Sequence, residues 1–319
     1  MHQHICKKAI KGTSLILVLC TTSLYGHAQK RDSIASSSDS IHRIDEVVVS
    51  AKQMLGSKFE ASNRTGSAYY VSPKEIAKLG YTDISRMLRA VPGVNIYEED
   101  GFGLRPNISL RGTKAERSER ISLMEDGILA APAPYAAPAA YYFPNAARMH
   151  AIEVLKGSSQ VQYGPFTTGG AVNMVSTPIP NRFTAGLRTS FGSYNTFNAY
   201  TYLGNDTKHL GYVVEYLRYQ SKGFRRDEPD ERTGFYRNDI VGKLRWHTSD
   251  EASTSQALEL KLGFANEHSD ETYVGLSEAD FATRPYYRYR GAQMDEMCTK
   301  HFQSALTHYI SFNNKLKIT

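Results

Sequence analysis

The sequence is poor in cysteine and tryptophan and has no long apolar run beyond its N-terminus. After residue 30 no stretch approaches the roughly 20 apolar residues that a membrane-spanning helix requires, and the mean hydropathy of −0.44 excludes a helical membrane protein. Two of the three cysteines, Cys6 and Cys20, lie within the first 28 residues, which excludes a disulfide framework. The composition is compatible with a membrane β-barrel, because alternating strands average to a modest hydropathy.

The charge pattern does not indicate a nucleic-acid-binding protein. The formal net charge is +6, but Lys7, Lys8 and Lys11 lie in the predicted leader, and the remaining chain is close to balanced. No basic stripe with interleaved aromatic residues is present. We therefore expect no nucleic-acid partner.

Motifs for catalysis, phosphate binding and metal binding are also missing. Glu98-Glu99-Asp100, followed by Gly101 and Gly103, lacks the strand-to-helix context of a phosphate-binding loop and is interpreted as an acidic turn. Ser158-Ser159 lacks the surroundings of a nucleophilic serine, and the ten histidines have no metal-ligand spacing. We expect no enzyme activity, no catalytic residue, no metal site and no cofactor.

Residues 1–28 have the features of a signal peptide. Lys7, Lys8 and Lys11 form its basic start, residues 15–20 its apolar centre, and Gly26-His27-Ala28 a small-residue cleavage site. A lipoprotein cleaved before Cys20 is the alternative, which the preceding Leu19 disfavours. The protein is predicted to be exported.

Residues 29–65 are predicted to form a polar, disordered tail, because they cannot bury enough apolar surface to fold. Within it, residues 44–50 (IDEVVVS) are β-prone, with three consecutive valines. This run is either the first strand of the next domain or a free strand offered to the sheet edge of a partner, where main-chain hydrogen bonds provide affinity.

Residues 66–177 are predicted to form a compact α+β domain. Ser72-Pro73 with Glu75 is a capping box that starts one helix, and Thr82 or Asp83 caps a second one. Short strands are expected at residues 67–71, 94–97, 108–111, 121–124 and 149–155, with a turn at residues 125–127. Residues 130–144 contain four prolines and are predicted to be a surface loop.

Residues 178–319 alternate with a period of two. Residues 183–191, 197–203, 210–216, 239–246, 258–264 and 302–312 are expected strands, each with one apolar face and one charged or small face. Tight turns alternate with long loops near residues 220–235 and 266–299, a layout typical of outer-membrane barrels. A soluble β-sandwich is the alternative, but it leaves the one-sided long loops and the charged strand faces unexplained.

Several short motifs in this order resemble those of TonB-dependent outer-membrane receptors. They are Pro92-Gly93-Val94, residues 108–112 (ISLRG), Glu125-Asp126-Gly127 and residues 152–176, which contain the Lys156-Gly157 break and the Gly169-Gly170 pair. Within the family the chain is most similar to ferric-dicitrate receptors, through residues 111–113, 133–135, 163–165, 275–280 and 284–286. The resemblance implies an α+β plug domain at 66–177 inside a 22-stranded antiparallel transmembrane barrel, of which residues 178–319 supply about six strands and the start of a seventh.

The resemblance also implies a mechanism and its residues. An exported, outer-membrane barrel embedded in lipid would bind an iron(III) chelate outside and be opened from inside by TonB, which the inner-membrane energising complex drives. The TonB-binding segment would be Ile44, Asp45, Glu46, Val47, Val48, Val49 and Ser50. The candidate ligand contacts are Arg117, Arg120, Tyr135, Arg284, Tyr286, Arg288 and Arg290, because guanidinium groups suit carboxylates. For each arginine, a solvated loop charge or a structural salt bridge is the competing interpretation.

The chain departs from the family pattern at three points. Ala136-Ala137 replaces the Gly-Gln pair of citrate-binding members, which puts citrate itself in question. The chain supplies only part of a barrel, and only the polar tail precedes Ile44, so no N-terminal signalling domain is expected. The remaining functional alternatives are import of another cargo (haem, cobalamin or a glycan) and a passive pore or adhesion surface.

Overall fold

The computed structural model describes residues 52–79, 83–130, 136–139, 141–157, 163, 168–226, 233–249, 252, 254–312 and 316–318. Four α-helices are found there: α1 (Lys58–Asn63), α2 (Pro73–Leu79), α3 (Ile84–Leu88) and α4 (Glu278–Thr283). The first seven strands are β1 (Ser67–Val71), β2 (Val94–Tyr97), β3 (Asn107–Leu110), β4 (Ile121–Glu125), β5 (Ile128–Leu129), β6 (Met149–Lys156) and β7 (Gly170–Ser176). The other seven are β8 (Thr184–Gly192), β9 (Thr196–Asp206), β10 (Leu210–Ser221), β11 (Phe235–His247), β12 (Thr254–Asp270), β13 (Glu296–Phe312) and β14 (Leu316–Ile318).

The described residues between 52 and 177, here called the N-terminal domain, are built on a five-stranded sheet in the order β1-β6-β7-β4-β5. Strand β4 pairs in parallel with β7, whereas β6 pairs antiparallel with both β1 and β7. Strands β6 and β7 are buried along almost their whole length and carry the main apolar core. A separate hairpin of β2 and β3 packs its apolar side chains into the same core.

The helices begin as the sequence predicts. The Ser72 hydroxyl and main-chain N–H both donate to Glu75 Oε2, at 2.8 and 2.9 Å, so the capping box at the start of α2 is present. Asp83 caps α3 by accepting the N–H of Ser85 at 2.8 Å. These contacts span two or three residues, which is why the sequence identifies them.

The expected disordered tail at residues 29–65 does not extend through residues 52–65. Met54 and Leu55 are buried, with exposed fractions of 6% and 4%, and α1 follows, capped by the Ser57 side chain, which accepts the N–H of Glu60. The correction has a physical reason: this polar stretch is ordered by long-range contacts to β6 and β7, which its own composition does not reveal. Residues 29–51 lie outside the described residues.

The predicted loop at residues 130–144 is not wholly a surface feature. Ala139 and Phe143 belong to the apolar core, and the buried Tyr142 ring stacks on His301 with centroids 3.8 Å apart. The described part of this segment therefore packs partly into the domain.

Strands β8 to β14 form one antiparallel sheet in sequential order, here called the wall. Its alternation matches the predicted period of two: every second side chain of β12, from Leu258 to Phe264, is exposed, and those between are buried. The exposed apolar side chains form a continuous outward face comprising Leu187, Phe191, Val214, Ile240, Leu244, Trp246, Leu258, Leu260, Leu262, Phe264, Phe302 and Leu306. A soluble sandwich would cover such a face with a second sheet, whereas a lipid-facing strand leaves it bare.

The opposite face of the wall carries charges and faces the N-terminal domain. These buried side chains are Glu215, Arg237, Asp239, Lys243, Arg245, Glu259, Lys261 and Glu267. Short connections follow β9, β11 and β13, and the longer segments after β10 and β12 lie at the other end of the wall. None of the helices in the described part of the chain has the length and apolarity to span a membrane.

Candidate functional site

The centre of the interface between the N-terminal domain and the wall is the guanidinium of Arg148. It donates to both carboxylate oxygens of Glu125, at 2.6 and 2.7 Å, to Asp239 of β11 at 3.1 Å, and to the Tyr142 hydroxyl at 3.0 Å. The side chains of Arg148, Glu125 and Asp239 are at most 2% exposed. A planar fork of this kind fixes geometry as well as charge.

Lys261 of β12 extends the network to the turn after β4. Its ammonium contacts Glu125 and Asp126, both at 2.6 Å. Asp126 also accepts the N–H of Ser176 at 2.9 Å, with a positive φ of 54° at Asp126. The predicted turn at residues 125–127 thus presents two carboxylates to the wall.

The nearby cations determine the pKa of these carboxyl groups. Burial by itself would raise the pKa of Glu125, but Arg148 and Lys261 outweigh it and lower the pKa to about 2. Burial likewise opposes ionisation of Asp126, yet the neighbouring lysines hold its pKa well below the usual range. Both groups are therefore ionised at neutral pH.

Two further sets of contacts lie toward the opposite ends of the wall. Near the short turns, Lys52 pairs with Glu259, which also accepts from Arg245 at 2.9 Å. Near the long loops, Arg105 contacts Glu267 at 2.5 Å and Glu271 at 2.8 Å. The domain is thus fixed to the wall at three levels by ionic and hydrogen-bonded contacts. The same interface includes apolar packing, in which Leu104 of the domain lies against Leu217 and Phe235 of the wall.

A small cavity opens beside Arg105 at the long-loop end. It has a volume of about 50 Å³. The N-terminal domain contributes residues 99, 100, 102, 104, 105 and 117 to its lining, and the wall and its loops contribute residues 224–225, 233–235 and 269–273. Its walls combine Phe102 and Phe224, whose ring centroids are 5.6 Å apart, with charges of both signs. This volume holds a few water molecules, so a larger ligand requires the loops to move.

The structure distributes the predicted ligand contacts over different environments. Arg117 lines the cavity, with a positive φ of 51°, whereas Arg120 is exposed and pairs with Glu119 at 3.3 Å. Tyr135 and the predicted TonB-binding segment, residues 44–50, lie outside the described residues.

The four predicted ligand contacts in the loop after β12 also lie in different environments. Arg284 is exposed, pairs with Asp280 at 3.1 Å and lies over the Tyr287 ring at 4.1 Å. Tyr286 is exposed and meets Phe224 edge to face at 6.1 Å, which brings it next to the cavity. Arg288 is 3% exposed and donates to the main-chain oxygens of Glu271 and Ala292, so its side chain has a structural role in this loop. Arg290 is exposed at the start of a 3₁₀ turn.

Sequence reasoning missed Arg105 and Arg148. Arg105 follows the acidic turn at residues 98–100, and Asp100 accepts the N–H groups of Phe102, Leu104 and Arg105. No spacing signal identifies either arginine, because their wall partners lie 162 and 91 residues away in the chain. In the part of the chain that the structure describes, no three metal-ligating side chains come together.

Comparisons with known proteins agree with this arrangement. Residues 60–171 match the family model described as the TonB-dependent receptor plug domain. A curated relative, the vitamin B12 transporter BtuB of Vibrio vulnificus (strain YJ016), is 26% identical over 263 residues, which cover 79% of this chain and 39% of the relative. This chain therefore spans about two fifths of the length of the curated relative it matches.

Two solved structures show the same fold. The ferric citrate transporter FecA in its unliganded form matches with a TM-score of 0.65 and 22% identity, covering 81% of this chain and 39% of the other. The ferric yersiniabactin uptake receptor FyuA from Yersinia pestis matches with a TM-score of 0.61 and 20% identity, covering 79% and 39%. At these identities the likeness concerns the fold, and it confirms the predicted class: an α+β plug domain against part of an antiparallel membrane barrel.

Proposed function

Since residues 60–171 match the TonB-dependent receptor plug domain, we propose that the protein imports a ferric chelate across the bacterial outer membrane. The proposed cargo is an iron(III) carboxylate of the citrate type. The observation that carries the proposal is the three-level ionic contact between the N-terminal domain and the inner face of the wall, whose outer face is apolar. This arrangement suits a barrel closed by a domain that has to be displaced for transport.

The proposed partners are outer-membrane lipid on the outer face and TonB, with its inner-membrane energising complex, on residues 44–50. TonB would add these residues as a strand to its own sheet. Energy must come from such a partner, because the charged contacts of Arg148 and Lys261 are too well satisfied to open unaided. Deleting residues 44–50 tests this point: ligand binding should persist while uptake is lost. Undiminished uptake in the deletion variant would refute the energised mechanism and leave a passive pore or an adhesion surface.

The cargo class rests on the cavity at the long-loop end. Arg105, Arg117 and Arg225 line it, together with acidic side chains and the aromatic rings of Phe102 and Phe224. When the loops open, an anionic chelate would compete for the guanidinium groups and stack against the rings. The fold shared with a ferric citrate transporter supports the same class.

Cobalamin is the second candidate, because the curated relative is a vitamin B12 transporter. Haem and glycans are less supported by the cavity's charges. Growth of a strain in which the full-length gene is disrupted discriminates among these cargoes. We expect impaired growth when ferric citrate or a related iron carboxylate is the only iron source. Normal growth on those sources with impaired cobalamin use would replace the first candidate by the second.

Arg117→Gln probes the ligand contact itself. The expected result is an affinity for the ferric chelate reduced about tenfold, since a charge-assisted hydrogen bond is lost. Arg89→Gln is the matched control, because Arg89 pairs with Glu98 on the surface and does not line the cavity. Equal affinities of the two variants would remove Arg117 from the proposed site.

A further inference from the structure

The segment that follows residues 44–50 is fixed to the N-terminal domain by one buried carboxylate. Glu153, which is fully buried in β6, accepts the N–H of Met54 at 2.6 Å, of Leu55 at 3.0 Å and of Gly56 at 2.9 Å. Asn173, directly opposite in β7, donates to Glu153 and to the main-chain oxygen of Lys52, at 2.9 and 3.0 Å. Glu153, Asn173 and the main chain of residues 52–56 are here called the clasp.

The main chain of the clasp is shaped to bind an anion. Gly56 has a positive φ of 75°, and a Cβ atom there would lie 2.6 Å from a carboxylate oxygen of Glu60. This conformation turns consecutive N–H groups toward one point, which makes a concave anion-binding nest. Here the anion is a side chain of the same protein, so the nest and its ligand separate only when the segment leaves the sheet.

The charge of Glu153 is compensated almost entirely by this segment. Within the described residues no cationic side chain pairs with Glu153; its partners are the three amides and Asn173. A buried carboxylate deprived of such partners is strongly unfavourable. Removing the segment therefore breaks several hydrogen bonds to one carboxylate at the same time. We expect the segment to undock in one cooperative step rather than residue by residue.

The position of the clasp in the chain gives it a mechanical consequence. Glu153 and Asn173 lie in β6 and β7, two adjacent inner strands of the sheet, and Met54 and Leu55 pack into a second apolar cluster beside them. A pulling force on the chain N-terminal to Lys52 acts on these contacts first, and reaches the rest of the sheet only afterwards. We infer that the clasp is the point at which pulling on residues 44–50 enters the N-terminal domain, with Glu153 as its positioning residue. The inference rests on the proposed TonB-driven function.

Amide hydrogen exchange of the full-length protein, without ligand, tests the clasp. Glu153→Gln replaces one acceptor oxygen of the carboxylate by an amide NH2 group, which donates hydrogen bonds and does not accept them. We expect exchange at Met54, Leu55 and Gly56 to accelerate on the order of tenfold to a hundredfold, while exchange in β7 is unchanged. Glu116→Gln is the control, because Glu116 is exposed, pairs with Lys114 and accepts none of these amides. Equal exchange at the three amides in both variants overturns the inference.

Gly56→Ala perturbs the main chain of the clasp instead of its carboxylate. It provides a second test if Glu153→Gln fails to fold. It leaves the carboxylate in place but strains the nest, so the same loss of protection is expected at Met54 and Leu55. Unchanged protection overturns the inference.

Single-molecule pulling from the N-terminal segment of the full-length protein in a bilayer tests the mechanical claim. The first rupture should occur at lower force in Glu153→Gln than in the control variant Glu116→Gln. Equal first rupture forces would place the entry of tension elsewhere. Neither measurement needs the cargo or TonB, so their failure is distinguishable from failure of the proposed function, which the uptake assay of the 44–50 deletion decides.

Discussion

Replacing Arg148 by methionine removes the centre of the interface while keeping a side chain of similar length. The change leaves Glu125 with Lys261 as its cation and Asp239 with Arg237, which lies 3.3 Å away. Removing one partner of a buried ion pair costs about 3–5 kcal/mol. Because one cation remains beside each carboxylate, we expect the free energy of unfolding to fall by about 3 kcal/mol at neutral pH.

The pH dependence of this loss follows from the pKa of Glu125. Its pKa is lowered from 4.5 to about 2 in the folded protein, which corresponds to about 3 kcal/mol of stability. A lowered pKa in the folded state contributes stability that is present above pH 4.5 and is lost as the pH falls toward 2. Arg148 is the larger of the two cationic causes, so the methionine variant has less of this stability to lose. The difference in free energy of unfolding between wild type and variant should be largest at neutral pH and should decrease on acidification.

Denaturant unfolding of the full-length protein in detergent, over a pH series from neutral down to the pKa of Glu125, measures both effects. Arg89→Met is the matched control, because Arg89 pairs with Glu98 at 2.8 Å on the surface, where ion pairs contribute only about 0–1 kcal/mol. A gap that is independent of pH, or an Arg148 variant as stable as the control, would refute the reasoning.

Three further substitutions test the fold. Gly170→Ala should lower the free energy of unfolding by more than about 1 kcal/mol, because the φ of Gly170 is +152° and a Cβ atom there would lie 2.3 Å from the main-chain oxygen of Leu155. Gly242→Ala is the control and should be tolerated in the same unfolding assay, because a Cβ atom at Gly242 meets no atom within 4 Å. Leu262→Lys puts a charge at the middle of β12 on the outward face and should cost about 2–4 kcal/mol of bilayer-inserted stability, measured by unfolding from lipid vesicles. Ser72→Ala removes the cap of α2 and should cost about 1 kcal/mol, with an unchanged free energy counting against the capping box.

The loop after β12 shows the limit of inferring a ligand site from residue types alone. The sequence places three arginines, Arg284, Arg288 and Arg290, in one cluster with aromatic residues. In the structure, Arg288 donates to a main-chain oxygen of its own loop, whereas Arg284 and Arg290 are exposed. Arginine is equally suited to a ligand carboxylate and to a main-chain oxygen. Only the path of the loop determines which of these a given guanidinium reaches.

The sequence by itself determined the features that depend on near neighbours. The period of two in residues 183–312 predicts the apolar and charged faces of the wall, because side chains alternate between the two sides of any strand. The capping box at Ser72 and Glu75 and the turn at residues 125–127 follow from contacts a few residues apart. The motif order was sufficient to identify the plug domain that residues 60–171 match.

Only the tertiary structure decided which charges meet across the interface. Lys52 reaches Glu259 across 207 residues, and Arg148 reaches Asp239 across 91. Ion pairs at such separations leave no periodicity, and each partner by itself looks like a solvated charge in the sequence. The same holds for Glu153, whose partners are main-chain amides that every residue except proline carries. Long-range pairing and main-chain recognition depend on where the folded chain passes. The sequence patterns therefore predict the strands of the wall, whereas only the structure shows which contacts hold the N-terminal domain against it.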